Sequence, residues 1–318
     1  MTRWGILSTA RINGLVLEGA RQAADVEVVA IASRDAARAE AHAREHSIPR
    51  SHGSYEALLA DEEIDAVYIP LPNALHHEWT LRALEAGKHV LCEKPYTRRA
   101  REVEEAFDAA ARAGLVLSEA FMWRHNPQTK RLVELLPEVG ELQTIRATFA
   151  FPLADETNVR LLADLDGGAL MDVGCYCVSG ARLLAGEPER VYGEQVTGGT
   201  GVDVRFTGTL RFPRAVVATF TCAFTHSHQS LEATGSEGTL FLPDPWHGGQ
   251  GVIKLNGHEI RVEPRNSYTL ELENVSRAIR GEEQPLLARE DALGQARTIE
   301  ALYASAERAT PVELPRVA

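Results

Sequence analysis

Two places in this sequence hold residue types that could handle a proton. Asp172 and Tyr176 stand four residues apart in "GGALMDVGCYCVSGARLLAG", and Lys94 closes a short apolar run in His89-Val90-Leu91-Cys92-Glu93-Lys94-Pro95. A free phenol has a pKa of about 10, too high for an efficient base near neutrality. A lysine ammonium a few ångströms away would stabilise the phenolate and lower that pKa. The Asp172 segment reads as a Gly-initiated helix, in which positions i and i+4 share a face. Asp172 would then bind a substrate hydroxyl or orient Lys94, while Val178, Ala181 and Leu184 face a core. Both places also have a structural reading: a surface lysine in a turn, and an interfacial tyrosine, which is the commoner fate of a tyrosine.

Lys94 needs a strand end to hold it. The stretch "ALHHEWTLRALEAGK" reads as a helix feeding that strand, and Pro95 removes an N–H and fixes φ where the chain leaves it. The first 120 residues alternate apolar runs of strand length ("WGIL", "VEVVAIA", "AVYI", "HVLC", "LVLSE") with helical stretches. Continuous apolar strands imply a sheet covered on both faces. Strand–helix alternation implies parallel pairing with right-handed crossovers. The expected fold is α/β: an N-terminal doubly wound, Rossmann-type parallel sheet over residues 1–120. Such sheets bind ligands outside the carboxyl ends of their strands, where Lys94 would stand.

Residues 121–318 change period. Val202, Val204, Phe206, Leu210 and Phe212 alternate with Asp203, Arg205, Thr207, Thr209 and Arg211. Period two means half-buried antiparallel strands. A C-terminal α+β domain with a large, mainly antiparallel open sheet is expected for substrate binding and oligomerisation. A helix near 289–307 is expected to pack at the domain junction. The face with Thr219, Thr221 and Ala223 is neither strongly charged nor clearly core, which suits the contact of a homodimer or higher homo-oligomer.

The first strand–helix turn is where a dinucleotide fingerprint belongs. It reads Ser8-Thr9-Ala10-Arg11-Ile12-Asn13, with Ser8, Ala10 and Asn13 in place of the three glycines. The physical demand is for small side chains beside the pyrophosphate and free N–H groups at a helix start. Ser8 and Ala10 meet it, whereas Asn13 is expected to loosen helix–strand packing. At the tip of the second strand, an NAD site would place an acid for the ribose 2′-hydroxyl. Ser33 and Arg34 stand there instead, with Arg38 a turn on; a hydroxyl and guanidinium forks suit a 2′-phosphate. Asp35 is expected to cap the next helix. NADP is the expected cofactor, NAD the second choice. Pro70-Leu71-Pro72 would bring backbone beside the nicotinamide-side ribose, and Asn73 would cap the helix carrying His76 and His77.

The formal charge of −12 argues against non-specific nucleic-acid binding. No apolar run approaches the roughly 20 residues of a membrane helix, and "MTRWGILS" enters a strand with no secretory signal pattern, so a cytoplasmic protein is expected. Cys92, Cys175, Cys177 and Cys222 form no CxxC pair and read as buried small hydrophobes. His226 and His228 share a strand face near His247, but no carboxylate or cysteine completes an obvious set, so no metal is expected.

Five blocks, in order, carry a family resemblance: "RWGILSTARI", "VVAIASRD", "VYIPLPNALHHEW" with the Glu93-Lys94-Pro95 segment, "EAFMWRHNP" and "GGALMDVGCYCV". Together they resemble the glucose–fructose oxidoreductase / inositol dehydrogenase (Gfo/Idh/MocA) family over nearly the whole chain. Most of that family has His at the position of Tyr176. The tyrosine is similar to the branch of dimeric dihydrodiol dehydrogenases and NADP-dependent D-xylose dehydrogenases. The resemblance implies that Leu71, Asn73, His76, Glu93, Lys94, Trp123 and Arg124 border the cofactor. It also implies that Asn158, Arg160, Asp172 and Tyr176 meet substrate, with Lys94, Tyr176 and Asp172 catalytic. The implied activity is hydride transfer from a carbinol carbon of a sugar, aldose to lactone, or of a cyclic polyol. A trans-dihydrodiol dehydrogenase and a non-catalytic NADP-sensing regulator are the alternatives.

Overall fold

The computed structural model describes residues 1–315. They form two compact units: 1–97, 101–125 and 266–293 in the first, and 98–100, 126–265 and the residues from 294 onward in the second.

In the first unit, β1 (Thr2–Leu7), β2 (Val26–Ala32), β3 (Arg50–His52), β4 (Ala66–Ile69), β5 (His89–Glu93) and β6 (Leu117–Ala120) form a parallel sheet. Its order is β3-β2-β1-β4-β5-β6. That order reverses between β1 and β4, and a crevice opens at the carboxyl ends beside such a switch point. Every residue of β4 is buried, which is why the run reads as continuously apolar. The helices between strands are α1 (Asn13–Gln22), α2 (Ala36–His46), α3 (Tyr55–Leu59), α4 (His76–Glu85) and α5 (Ala100–Ala113). Asp35 caps α2 as expected: its Oδ1 accepts from the N–H groups of Ala37 (2.9 Å) and Arg38 (3.2 Å). Asn73 does not cap α4. It opens a one-turn 3-10 segment, Asn73–Leu75, and α4 starts at His76 without a side-chain cap at Leu75.

The main segment of the second unit opens on α6 (Pro127–Leu135). Its nine-stranded sheet contains β7 (Leu142–Ala150), β8 (Arg190–Thr197), β9 (Asp203–Arg211), β10 (Val217–Ala223), β11 (His228–Gly235), β12 (Thr239–Leu242), β13 (Val252–Leu255), β14 (His258–Arg261) and β15 (Val312–Glu313). The order is β14-β13-β12-β11-β7-β10-β9-β8-β15. Within this sheet only β7 and β10 run parallel among the described residues. α7 (Cys175–Ala185) covers one face, where Phe206, Leu210, Phe220, Cys222 and Leu231 are buried. On the other face Thr207 and Thr219 are exposed, and the hydroxyls of Thr207 and Thr221 meet at 3.2 Å. Ala223 does not share that open surface; it is fully buried at the end of β10.

The chain then returns to the first unit through α8 (Ser267–Ile279), capped by Asn266, whose Oδ1 accepts from the N–H of Tyr268 at 3.0 Å. α8 lies on α1 because Gly19 has no side chain; a Cβ there would come within 2.7 Å of Tyr268 Cβ. The Thr269 hydroxyl donates to the Gly19 carbonyl at 2.9 Å, and the Trp4 indole N–H donates to Ser276 at 3.2 Å. Residues 266–293 therefore join the nucleotide-type unit, unlike the contiguous division at 120 expected from sequence order. α9 (Arg289–Arg308) matches the expected C-terminal helix, and the division between the units falls inside it, after Leu293.

Candidate active site

The turn after β1 keeps a glycine-type backbone without glycine. Ser8 has φ 146°, a region that side chains rarely adopt. Asn13 corrects the expectation of loosened packing. It is fully buried, and its Nδ2 donates to the Ser8 carbonyl at 2.7 Å, tying the head of α1 to the strained residue. The Asn13 N–H reaches the Ala10 carbonyl at 3.1 Å. Arg11 is exposed, and Ile12 precedes the first helical residue. Arg38 of α2 donates to Thr9 Oγ1 at 3.2 Å, so two expected cofactor residues already touch.

At the tip of β2, Ser33 is buried and its Oγ accepts from the Asp35 N–H at 3.2 Å. Arg34 is exposed beside the Tyr55 hydroxyl, whose pKa burial raises while Arg34 and Arg38 pull it down. Tyr55 was not anticipated. An apolar run after a turn gives no sign that its phenol will meet an arginine 21 positions earlier. Ser33, Arg34 and Arg38 thus stand around one strand tip. Asp35, the nearest acid, has an oxygen engaged in capping.

The ends of β4 and β5 hold the remaining expected residues of this unit. Tyr68 donates its hydroxyl to Glu93 Oε1 at 2.6 Å, and Glu93 Oε2 accepts the Lys94 N–H at 3.2 Å. Burial, with Glu93 beside it, drives the Tyr68 pKa well up, so it remains a donor. From the sequence, Tyr68 reads only as a strand residue. The Lys94–Pro95 peptide is cis. Past it, the Tyr96 N–H donates to Glu119 Oε1 at 2.8 Å.

His76 is not a surface on which a ligand can lie. It is fully buried, with Nε2 2.8 Å from the Leu71 carbonyl and Nδ1 3.0 Å from the Pro95 carbonyl. It braces the two turns that flank the crevice. Burial lowers its pKa, while the carbonyls oppose that shift. Ser8 Oγ approaches the Pro70 carbonyl at 3.5 Å, placing the β1 and β4 turns side by side. Trp123, at 1 % exposure, is core, and Arg124 pairs with Asp291 at 2.9 Å. Both are expected beside the cofactor; Trp123 packs in the core and the Arg124–Asp291 ion pair is largely buried.

In the second unit, the segment before α7 is a π-helix, Leu170–Gly174, so Asp172 and Tyr176 are not an ordinary α-helical i, i+4 pair. Single π turns often occur at functional sites. Asp203 fixes the head of this turn. Its Oδ2 accepts the Leu170 N–H at 2.7 Å, and its Oδ1 accepts the Tyr303 hydroxyl at 2.8 Å. Burial pushes the Asp203 carboxyl up to about 6. Asp172 Oδ2 accepts from Arg160 Nε at 2.8 Å, and Asn158 Oδ1 accepts the Arg160 N–H at 3.1 Å. Asn158, Arg160 and Asp172 are thus one connected set. The Tyr176 ring meets Phe149 edge-on at 5.3 Å and Trp246 at 6.0 Å. Trp246 is held by its indole N–H on the Thr148 carbonyl at 2.9 Å. His247 stands edge-on to Phe149 at 5.7 Å, whereas His226 and His228 are exposed.

The first unit has the strand order, switch point and phosphate-type turn of a dinucleotide-binding oxidoreductase domain. A match over residues 3–121 to the profile of the Gfo/Idh/MocA oxidoreductase family, NAD-binding Rossmann fold, agrees with it, and residues 130–241 match that family's C-terminal domain. The chain belongs to the Gfo/Idh/MocA family. It is 43% identical, over 98% of its length and 99% of the relative's, to D-xylose 1-dehydrogenase (NADP(+)) 2 of Haloferax volcanii. It is 33% identical to trans-1,2-dihydrobenzene-1,2-diol dehydrogenase of Xenopus laevis, over 82% of this chain and 81% of that one. The crystal structure of a 3-ketoreductase from Actinomadura kijaniata with NADP and TDP-benzene superimposes with a TM-score of 0.91 at 30% identity, covering 96% of this chain and 97% of that one. The same ketoreductase has been solved with a tyrosine changed to phenylalanine and with a lysine changed to alanine.

Proposed function

We propose that this chain is an NADP(H)-dependent dehydrogenase that oxidises an aldose at C1 to its lactone. The full-length match to an NADP-dependent D-xylose dehydrogenase carries the substrate class. NADP, held by the Ser8–Ile12 turn and the Ser33, Arg34 and Arg38 tip, supplies the hydride acceptor. The C1 hydroxyl gives its proton to Tyr176 as the C1 hydrogen leaves with its electron pair and the C=O bond forms. Lys94 stabilises the phenolate, and Asp172, oriented by Arg160, accepts a sugar hydroxyl. Tyrosine and lysine are also the residue types replaced in the solved ketoreductase variants. The presence of both Lys94 and Tyr176 counts against a cofactor sensor, which needs no proton donor.

A second reading is oxidation of a trans-dihydrodiol. The wall of Phe149 and Trp246 beside Tyr176 favours it, because a flat ring would stack there. A panel of aldoses and cyclic diols followed by NADPH absorbance decides between the two. D-Xylose or another aldose is expected to give the higher kcat/KM; a diol active where no aldose is would overturn the first reading.

Run with both cofactors, the same assay tests the β2 tip. Loss of a charge-assisted phosphate contact costs about 1.5–3 kcal/mol, so Arg34→Ala is expected to weaken NADP roughly ten- to a hundred-fold and NAD little. Equal NADP affinity in the two proteins would remove Arg34 from the site. A cytoplasmic homodimer, joined through the threonine face of the sheet, completes the proposal, and light scattering reads its mass. Among the described residues no helix is long and apolar enough to cross a membrane.

A further inference from the structure

The last turns of α2 carry three ligand-type side chains that the redox site does not use: His42, Glu45 and His46. The two histidines stand at i, i+4, with ring centroids 4.4 Å apart and planes inclined at 51°. Glu45 Oε1 lies 4.0 Å from His46 Nε2. One donor atom from each of the three falls within 4.8 Å of the others. Two imidazoles one helical turn apart with a carboxylate form a donor set that zinc takes, and nickel and copper share it. Zinc bonds of about 2.0–2.2 Å place tetrahedral donors about 3.3 Å apart, so closure needs movements of roughly an ångström in partly exposed side chains. The cations nearby are occupied. Arg44 pairs with Glu40, Arg21 donates to the His46 carbonyl at 3.2 Å, and Arg38 donates to Thr9. The C-terminal end of a helix also favours a cation.

This site borders the dinucleotide turn. His42 Nε2 lies 3.5 Å from Asn13 Nδ2, the group that donates to the Ser8 carbonyl. Asn13 Oδ1 is buried and has no hydrogen-bond partner among the described residues. We propose that His42, Glu45 and His46 bind one divalent transition-metal ion, zinc by preference, and that the occupied site weakens NADP binding through Asn13. With Nε2 directed at the Asn13 amide N–H, His42 offers the ion its Nδ1. Ligation there puts the ring proton on Nε2, which then faces another donor. The Asn13 amide relieves that conflict by turning Oδ1 towards His42, which satisfies the orphaned oxygen and releases the Ser8 carbonyl. The turn that cradles the pyrophosphate loses a buried brace. One hydrogen bond lost corresponds to roughly a two- to tenfold weaker NADP affinity. By linkage, NADP must weaken zinc binding by the same factor.

The test uses the full-length protein. Cobalt(II) is added first, and its visible ligand-field absorption reports a low-coordinate site; zinc chloride is then titrated in to displace it. One saturable site per chain is expected in the wild type, lost in His46→Ala and restored in part by no other histidine. His46→Gln repeats the test with a residue closer in size. NADP affinity, read by fluorescence, should fall on adding zinc to the wild type. In both His46 variants it should equal the metal-free wild-type value with or without zinc. Absence of saturable binding, or equal binding in the His46 variants, overturns the site. Zinc binding with an unmoved NADP affinity overturns the coupling through Asn13.

Discussion

Replacing Tyr176 by phenylalanine is expected to lower kcat by roughly 10²–10⁴-fold, the usual scale of general acid–base catalysis. Phenylalanine keeps the ring and its edge-on contact with Phe149, so the aromatic packing survives while the oxygen that would take the substrate's proton is gone. Circular dichroism and NADP affinity should match the wild type. On the proposed mechanism, Lys94→Ala is expected to lose at least as much activity, since it would remove the charge that stabilises the phenolate. The Lys94 backbone is held independently, through the Glu93 carboxylate that Tyr68 anchors. The side chain can therefore be cut without freeing the strand end. The double variant should be little slower than either single one, because residues acting as a unit are not additive. Near-full kcat in Tyr176→Phe, with an unchanged pH profile, would show that the proton travels elsewhere.

The sequence made visible what repeats along the chain and hid what depends on a partner far away in it. Strand–helix alternation is a local signal, and it was enough for the parallel sheet and for the Lys94 strand end. The period-two run from Val202 to Phe212 was enough for the second sheet. Asp35 was legible as a cap because capping spans only two or three residues. The turn at Ser8 looked poor because the fingerprint counts glycines, whereas the fold needs a backbone angle and a tether. Ser8 adopts the angle, and Asn13 supplies the tether from a position where small size was the expectation. α8 was not anticipated as part of the nucleotide-type unit, since nothing in "SYTLELENVSRAI" shows that it returns to Gly19 and Trp4. The family resemblance implies that His76 borders the cofactor, yet the side chain is fully buried. Its two backbone carbonyl contacts come from separate loops, and only the fold brings those together. The π turn at Asp172 leaves no compositional mark either.

That turn depends on Asp203, which occupies a polar position in the β9 alternation yet is only 3% exposed. Burial raises its pKa from an ordinary 3.8 to about 6. The folded state therefore holds this proton more tightly than the unfolded chain does. The stability gained from that preference is complete below about pH 4 and is lost as pH rises through about 6, with a total near 3 kcal/mol. Other carboxylates titrate in the opposite sense. Asp65, hydrogen-bonded to Arg3, is held below its ordinary value, so the single-group effect must be read as a difference. Asp203→Asn keeps an oxygen for the Leu170 N–H and offers an amide N–H to the Tyr303 hydroxyl, without a charge to bury. Its stability relative to wild type, from denaturant melts, is expected to rise by roughly 2–3 kcal/mol between pH 4 and pH 7. A difference that stays flat across that range would mean that Asp203 is not the titrating group. Asp203→Ala removes both acceptors and leaves the Leu170 N–H and the Tyr303 hydroxyl buried without them, a cost of about 1–3 kcal/mol for each. If Asp203 exists to hold the π turn, the alanine variant should also lose kcat through misplaced Asp172 and Tyr176, while the asparagine variant keeps it. A carboxylate retained at this site despite its burial would then be explained by what it positions.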